Sequence, residues 1–238
     1  MKKPFTILTA QLIFALGLSP LAAQQARPIF IDNPAAERIP NLDQLKKEMR
    51  EYHDCTCKCG CYTHDVDLEA DRAINYLDRR VARRRPSEKL ALILDIDETT
   101  LSNYLEETGA DFAYKPDAFD AWVQTARAAA IPGTLRLYQE AQKLGVSVFF
   151  ITGRTENERT ATELNLRAQG FQNWKLLVMR PVSHGNRTIG QFKAVTRGEI
   201  AAQGYTLALN VGDQWSDLRG KPEAEYSVKY PDPFYFVP

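Results

Sequence analysis

Four acids in two short stretches carry the clearest chemistry in this chain. Asp95 and Asp97 lie two residues apart in Leu94-Asp95-Ile96-Asp97-Glu98-Thr99, and Asp213 and Asp217 lie in Gly212-Asp213-Gln214-Trp215-Ser216-Asp217. Carboxylates this close can divide the labour, one attacking while the other hands over a proton. They also repel, so they call for a cation or a shared proton. Mg²⁺, a hard cation, takes oxygen ligands and suits them. Phe149-Phe150-Ile151-Thr152-Gly153-Arg154 adds a hydroxyl and a glycine past which a backbone N–H can approach an anion. Lys193, read as opening a helix, offers a point positive charge. Acids for a metal, a nucleophile and donors for an anion together point to phosphoryl transfer. Each piece alone has a plainer account as a helix cap or a surface acid; their convergence favours the site.

Something must bring these residues together. Leu90–Leu94, Val146–Ile151, Leu176–Met179 and Thr206–Val211 are continuous apolar runs, as expected of strands buried on both faces of a parallel sheet. Helical spacing separates them at Gly133–Leu144, Glu156–Gln169 and Lys193–Gln203. Alternating strands and helices predict a doubly wound α/β fold, which binds ligands at the carboxyl ends of its strands. Three of the four runs place a polar or acidic residue there. Upstream, 41–52 reads as a helix with Asn41 as its cap, and apolar residues recur at helical spacing from Asp65 to Ala82. Arg79, Arg80, Arg83, Arg84 and Arg85 crowd the end of that second helix. Cations complementing a helix C-terminus account for them better than a phosphate patch does.

At the strand ends the chain resembles the haloacid dehalogenase (HAD) superfamily. More narrowly, Leu94–Asn103, Phe150–Arg154 and Asn210–Leu218 are similar to the class B, subfamily IIIB acid phosphatases, a group that includes plant acid phosphatases, vegetative storage proteins and secreted bacterial relatives. The likeness extends through Asp117–Trp122 and the Pro231–Tyr235 tail, covering most of residues 50–238. It implies a Mg²⁺-dependent phosphomonoesterase with a HAD-like doubly wound sheet, helices on both faces and a small cap inserted at about 102–132. Asp95 would form an aspartyl-phosphate; Asp97 would protonate the leaving alkoxide and then activate water. Thr152 and the Gly153 N–H would hold phosphate oxygens, and Lys193 would bind phosphate and steady Asp95. Asp213 would ligate Mg²⁺ with the Asp95 carboxylate and the Asp97 backbone carbonyl, while Asp217 would act from behind or through water. The resemblance also implies activity at mildly acidic pH, where Asp97 can carry the proton that the first step needs. Tyr104, directly after the first motif, is the candidate substrate contact within the cap. Phe119 and Trp122, three apart on one helical face, read as core. His184 reads as a loop residue.

The rest of the chain bounds the setting. Its 238 residues carry 30 Lys+Arg and 30 Asp+Glu, so nothing global points to a nucleic-acid polymer or an anionic membrane. Residues 1–23 have a two-lysine start, an apolar run and a small-residue end, the pattern of a secretory signal peptide. The predicted organisation is therefore a signal peptide, an N-terminal arm and helices over 24–88, and a phosphatase core over 89–238. The mature protein would be exported, periplasmic or secreted, with no membrane span and with small phosphorylated substrates, nucleotides among them, as partners. A homo-oligomer is compatible with the sequence. Cys55, Cys57, Cys59 and Cys61 crowd one loop, outside the family pattern. In an exported chain this reads first as disulfides, with Cys55–Cys59 or Cys57–Cys61 loops easier than one-residue bridges, and second as a soft-metal site. Two rival functions remain at this level: a phosphotransferase using the same covalent intermediate, and a non-catalytic storage or metal-binding protein.

Overall fold

The computed structural model describes residues 39–57, 61–183 and 185–237. The expected signal peptide, Cys59 and His184 lie outside these residues. Asn41–Pro238 forms one unit, in which the N-terminal helices share the core of the sheet.

Five parallel strands make that sheet: β1 (Lys89–Leu94), β4 (Ser147–Thr155), β5 (Leu176–Arg180), β6 (Tyr205–Gly212) and β7 (Tyr226–Lys229). Their order is β5-β4-β1-β6-β7. From central β1 the chain runs outward through β4 to β5, then returns over α7 (Ile189–Ala202) to β6 on the other side. The order reverses between β4, β1 and β6, where an open α/β sheet leaves a crevice beyond its strand ends. The continuous apolar runs follow from burial on both sides. Leu90, Leu92 and Leu94 face one cluster with Val148 and Phe150, while Ala91 and Ile93 face another with Phe149 and Ile151.

Helices cover both faces. α2 (Tyr62–Val81) buries Val66, Ala70, Ala73 and Leu77, one stripe of a 3.6-residue helix. It crosses α5 (Pro132–Lys143) so closely that a Cβ on Gly133 would fall 2.8 Å from that of Ala70. Phe192 and Ile200 of α7 cover the opposite face. α1 (Leu42–Asp54) is capped by the Asn41 side chain, which accepts from the N–H groups of Asp43 and Gln44. Of the arginines at the end of α2, Arg80 joins Glu88 and Glu225 at 2.5 Å each, and Arg84 donates to the Gly145 carbonyl. These contacts tie the helix to the segments that lead into the sheet.

Between β1 and β4 the chain leaves the sheet. A two-residue pairing of β2 (Leu101–Ser102) with β3 (Ala129–Ala130) closes the base of this excursion, which carries α3 (Tyr104–Gly109) and α4 (Pro116–Gln124). Trp122 packs against the core as expected. Phe119 does not; it is half-buried and lines the central cavity. β7 and the β2–β3 pair were not evident as sequence patterns. Lys193 does not open α7, which begins one turn earlier under a Thr188–Gln191 capping box.

Among the described cysteines, Cys57 is disulfide-bonded, whereas Cys55 and Cys61 carry free thiols. Neither the Cys57–Cys61 nor the Cys55–Cys59 loop expected from spacing is formed. The Cys55, Cys57 and Cys61 sulfurs lie within 4.8 Å of one another.

Candidate active site

Asp95 continues β1 by one residue, its N–H donating to the Val211 carbonyl at 3.1 Å. The chain then turns sharply: the Ile96 carbonyl accepts from Thr100 and Leu101, and Glu98 takes φ 49°. This turn brings Asp95 and Asp97 to the wall of one cavity of about 510 Å³ beyond the strand ends. Asp213 follows β6 directly, and α8 (Trp215–Leu218) returns Asp217 beneath it. The register of β4 against β5 shifts between Ile151 and Thr155, so that Gly153, Arg154 and Thr155 face the cavity where the sheet opens.

Lys193 is buried at the centre. Its ammonium pairs with both Asp95 and Asp217, the latter at 2.5 Å. Oxygens of Asp95, Asp213 and Asp217 lie within 4.8 Å of one another, all three residues buried. Burial pushes the Asp95 carboxyl well above the usual carboxylate range; Lys193 pulls it back, and the Asp217, Asp213 and Asp97 charges add to the rise. Burial likewise raises Asp213, with Asp217 and Asp232 adding to it. Three buried carboxylates around one ammonium leave a charge deficit that bound protons or a further cation must meet. An all-oxygen donor set with that deficit fits a hard divalent cation. Asp213 is already oriented: Thr99 donates to it at 2.8 Å, and Gln214 and Tyr235 each at 2.9 Å.

Asp97 behaves differently. Burial would push its carboxyl up, but the Arg154 guanidinium outweighs that and holds it below the ordinary range. Arg154 donates to it from Nη2 at 2.7 Å and from Nε at 3.0 Å, and the Asn103 amide donates at 2.8 Å. The Asp97 carboxylate therefore stands apart from the Asp95, Asp213 and Asp217 trio. Burial also lifts Glu107 to about 9, helped by Asp232 and Asp213, and lifts Asp232 to about 7, helped by Glu98.

The expected residues divide accordingly. Asp95, Lys193, Asp213 and Asp217 converge, with Asp217 in the buried trio and touching Lys193, not standing behind it. Gly153 lines the cavity, but Thr152 is buried and its hydroxyl accepts the Arg154 N–H at 3.1 Å. Tyr104 does not line the cavity; it is buried with its ring stacked on His53 and tilted against Phe234. Burial and the neighbouring Asp54 push its hydroxyl up to about 12.

Other residues carry weight that the motifs did not show. Asn103 is a junction: its amide reaches Asp97 and Glu98, and its carbonyl oxygen accepts from the Trp122 indole at 2.9 Å. Buried Arg197, one turn after Lys193, donates to the carbonyls of Asp217, Arg219, Gly220 and Pro222, knitting the loop after α8. The spacing of Lys193 and Arg197, four apart on one helix face, was a visible signal.

A crevice at the switch point of a parallel sheet, lined by acids, a lysine and a glycine turn, defines a phosphate-handling α/β protein. A family model describing the HAD superfamily, subfamily IIIB (acid phosphatase), matches residues 29–238, and the chain belongs to that family. It is 38% identical to acid phosphatase 1 of Solanum lycopersicum over 148 residues, 61% of this chain and 58% of that protein. The chain thus spans under two thirds of that relative's length. It is 32% identical to the stem 28 kDa glycoprotein of Glycine max over 185 residues, 74% of this chain and 72% of that one. The fold matches the class C acid phosphatase of Bacillus anthracis with a TM-score of 0.68 at 22% identity, covering 82% of this chain and 86% of that one.

Proposed function

We propose that this chain is an exported, Mg²⁺-dependent acid phosphatase that hydrolyses small phosphomonoesters through an aspartyl-phosphate on Asp95. The observation that carries this reading is the buried Lys193 ammonium shared by Asp95 and Asp217 at the carboxyl ends of the strands. Asp95, Asp213 and Asp217 would hold the metal, with the Asp97 backbone carbonyl as a further ligand. Bound there, the cation would neutralise the carboxylates and charge developing on the phosphoryl oxygens.

The chain's own groups do the rest. Lys193 opposes the rise that burial imposes on Asp95 and, with the bound cation, would favour the ionised carboxylate whose oxygen attacks phosphorus. The bond from phosphorus to the leaving oxygen breaks, and Asp97 supplies the proton to that oxygen. In the second half Asp97 takes a proton from water as the water oxygen attacks phosphorus, releasing phosphate and Asp95. The Gly153 N–H and Lys193 hold the phosphoryl oxygens. Arg154 sets a condition on the first step, because its ion pair favours ionised Asp97. A phosphate dianion entering the cavity competes for that guanidinium. Each bond it takes releases Asp97 toward the protonated form.

Similarity to vegetative storage protein 1 of Arabidopsis thaliana, 32% identical over 151 residues, supports a second reading, a storage protein of the same fold. Against it stand filled positions at Asp95, Asp97, Lys193, Asp213 and Asp217. Hydrolysis of a chromogenic aryl phosphate at pH 5 to 8, with Mg²⁺ or EDTA, separates the two. Mg²⁺-dependent turnover is expected; none from folded protein that binds Mg²⁺ would favour storage. Fractionating the producing cells and sequencing the mature N-terminus tests export, with cleavage expected after Ala23.

A further inference from the structure

α3 ends in a Schellman motif: the Phe112 N–H donates to the Glu107 carbonyl at 2.7 Å and the Asp111 N–H to the Thr108 carbonyl at 3.2 Å. That motif needs one left-handed residue, usually glycine. Here Gly109 falls two residues too early, and Asp111 takes the position with φ 55°. The next residue, Phe112, is also left-handed, with φ 57°. The cap does not require this, and for a bulky aromatic it is an outlier. Backbone strain of this kind persists only where the surroundings over-determine it.

The surroundings are α1. Lys46 and Arg50, one turn apart, both pair with the Asp111 carboxylate, at 2.5 Å and 2.8 Å. The Arg50 guanidinium also lies over the Phe112 ring, 4.8 Å from its centroid. So held, Phe112 lies parallel to Phe234, and both line the cavity that contains Asp95. Neither Lys46 nor Arg50 lines that cavity.

We propose that Lys46 and Arg50 are positioning residues: by latching Asp111 they hold Phe112 in its left-handed conformation as a wall for the substrate's leaving group. α1 would then set how well a flat apolar group binds, without touching the phosphate. The substrate side of this inference rests on the phosphatase reading, but the latch can be tested by binding alone.

The experiment compares phenylphosphonate with methylphosphonate by calorimetry, on the full chain with Mg²⁺. The parent, Lys46→Ala/Arg50→Ala, Phe112→Gly and the combined variant are compared, with melting curves to confirm that each folds. Latch removal is expected to weaken phenylphosphonate about fivefold, the scale of an exposed ion-pair cluster, and to leave methylphosphonate within about twofold. Glycine adopts φ 57° without strain, so in the Phe112→Gly background latch removal should change neither ligand. In turnover, the same double variant should raise KM for phenyl phosphate while kcat holds. Unchanged phenylphosphonate affinity, or equal weakening of both ligands, would overturn the proposal. A parent that shows the phenyl preference and its dependence on the latch, yet hydrolyses neither phenyl nor methyl phosphate, would keep the latch and remove the phosphatase reading.

Discussion

The strand ends and the cap segment form facing parts of one cavity, and they are held by different means. At the strand ends, Asp95, Gly153 and Asp213 take their places from the sheet: each sits on or just beyond a central parallel strand, Gly153 where the β4–β5 register shifts. Lys193 stands on a capped helix packed against the sheet. In the cap, the cavity-facing side chains lie outside the five-stranded sheet. Phe112 depends on two consecutive left-handed residues and on partly exposed ion pairs from another helix, while Trp122 is held by packing against the core and by a hydrogen bond to Asn103. The difference is one of stiffness: on the proposed reading, the groups that would meet phosphorus stand on rigid elements. Those that would face the variable part of a substrate stand on a segment whose contacts can be exchanged at little cost to the fold.

Substitutions at the strand ends should therefore remove chemistry, and those in the cap should only shade it. Asp95→Asn should lower kcat by about 10⁴-fold or more, read with a chromogenic phosphate; persistent turnover would mean another nucleophile. Lys193→Met should lower kcat by about 10²- to 10³-fold. In EDTA it should also cost about 3–5 kcal/mol in urea unfolding, because buried Asp95 and Asp217 lose their cation, and Mg²⁺ should restore part of that stability. Gly212→Ala would force a Cβ into the Asp217 side chain. It should destabilise the fold by about 1–3 kcal/mol and weaken Mg²⁺ binding in a calorimetric titration. Asn103→Ala joins the two regions. It orphans the Trp122 indole and two hydrogen bonds to acids, and should lower kcat/KM about tenfold. A loss as large as that of Lys193→Met would show that the cap is part of the chemical machinery.

The smallest effect lies away from the cavity. The Arg80 guanidinium, helped by the Arg85 N–H, holds the Glu88 carboxyl down at about 2. A carboxyl lowered in the folded state adds stability above its unfolded value, about 4.5, and loses it as pH falls toward 2. Arg80→Ala should flatten that part of the pH dependence of urea unfolding between pH 5 and 2. An unchanged slope would mean that the pair contributes nothing in solution.

Some of this was legible in the residues and some was not. Burial on both faces writes a continuous apolar run into a strand, so β1, β4, β5 and β6 could be read with the acids at their ends. β7 could not: Tyr226 and Ser227 are exposed at the sheet edge, so the segment lacks that signature. Helical spacing puts Phe119 on one face with Trp122, but it does not say whether that face meets a core or a cavity, and Phe119 meets the cavity. Tyr104 follows the first motif in sequence but not into the cavity, because α3 turns its ring toward His53.

The sequence by itself determined four of the five sheet strands, the reactive residue types and the order in which they arrive at the strand ends, because these follow from local periodicity and residue chemistry. Only the tertiary structure decided which charges meet. Lys193 reaches Asp95 across 98 residues and Arg154 reaches Asp97 across 57. No local pattern encodes pairs so distant; packing the helices against the sheet creates them, and with them come the opposite displacements of Asp95 and Asp97 from the ordinary carboxylate range.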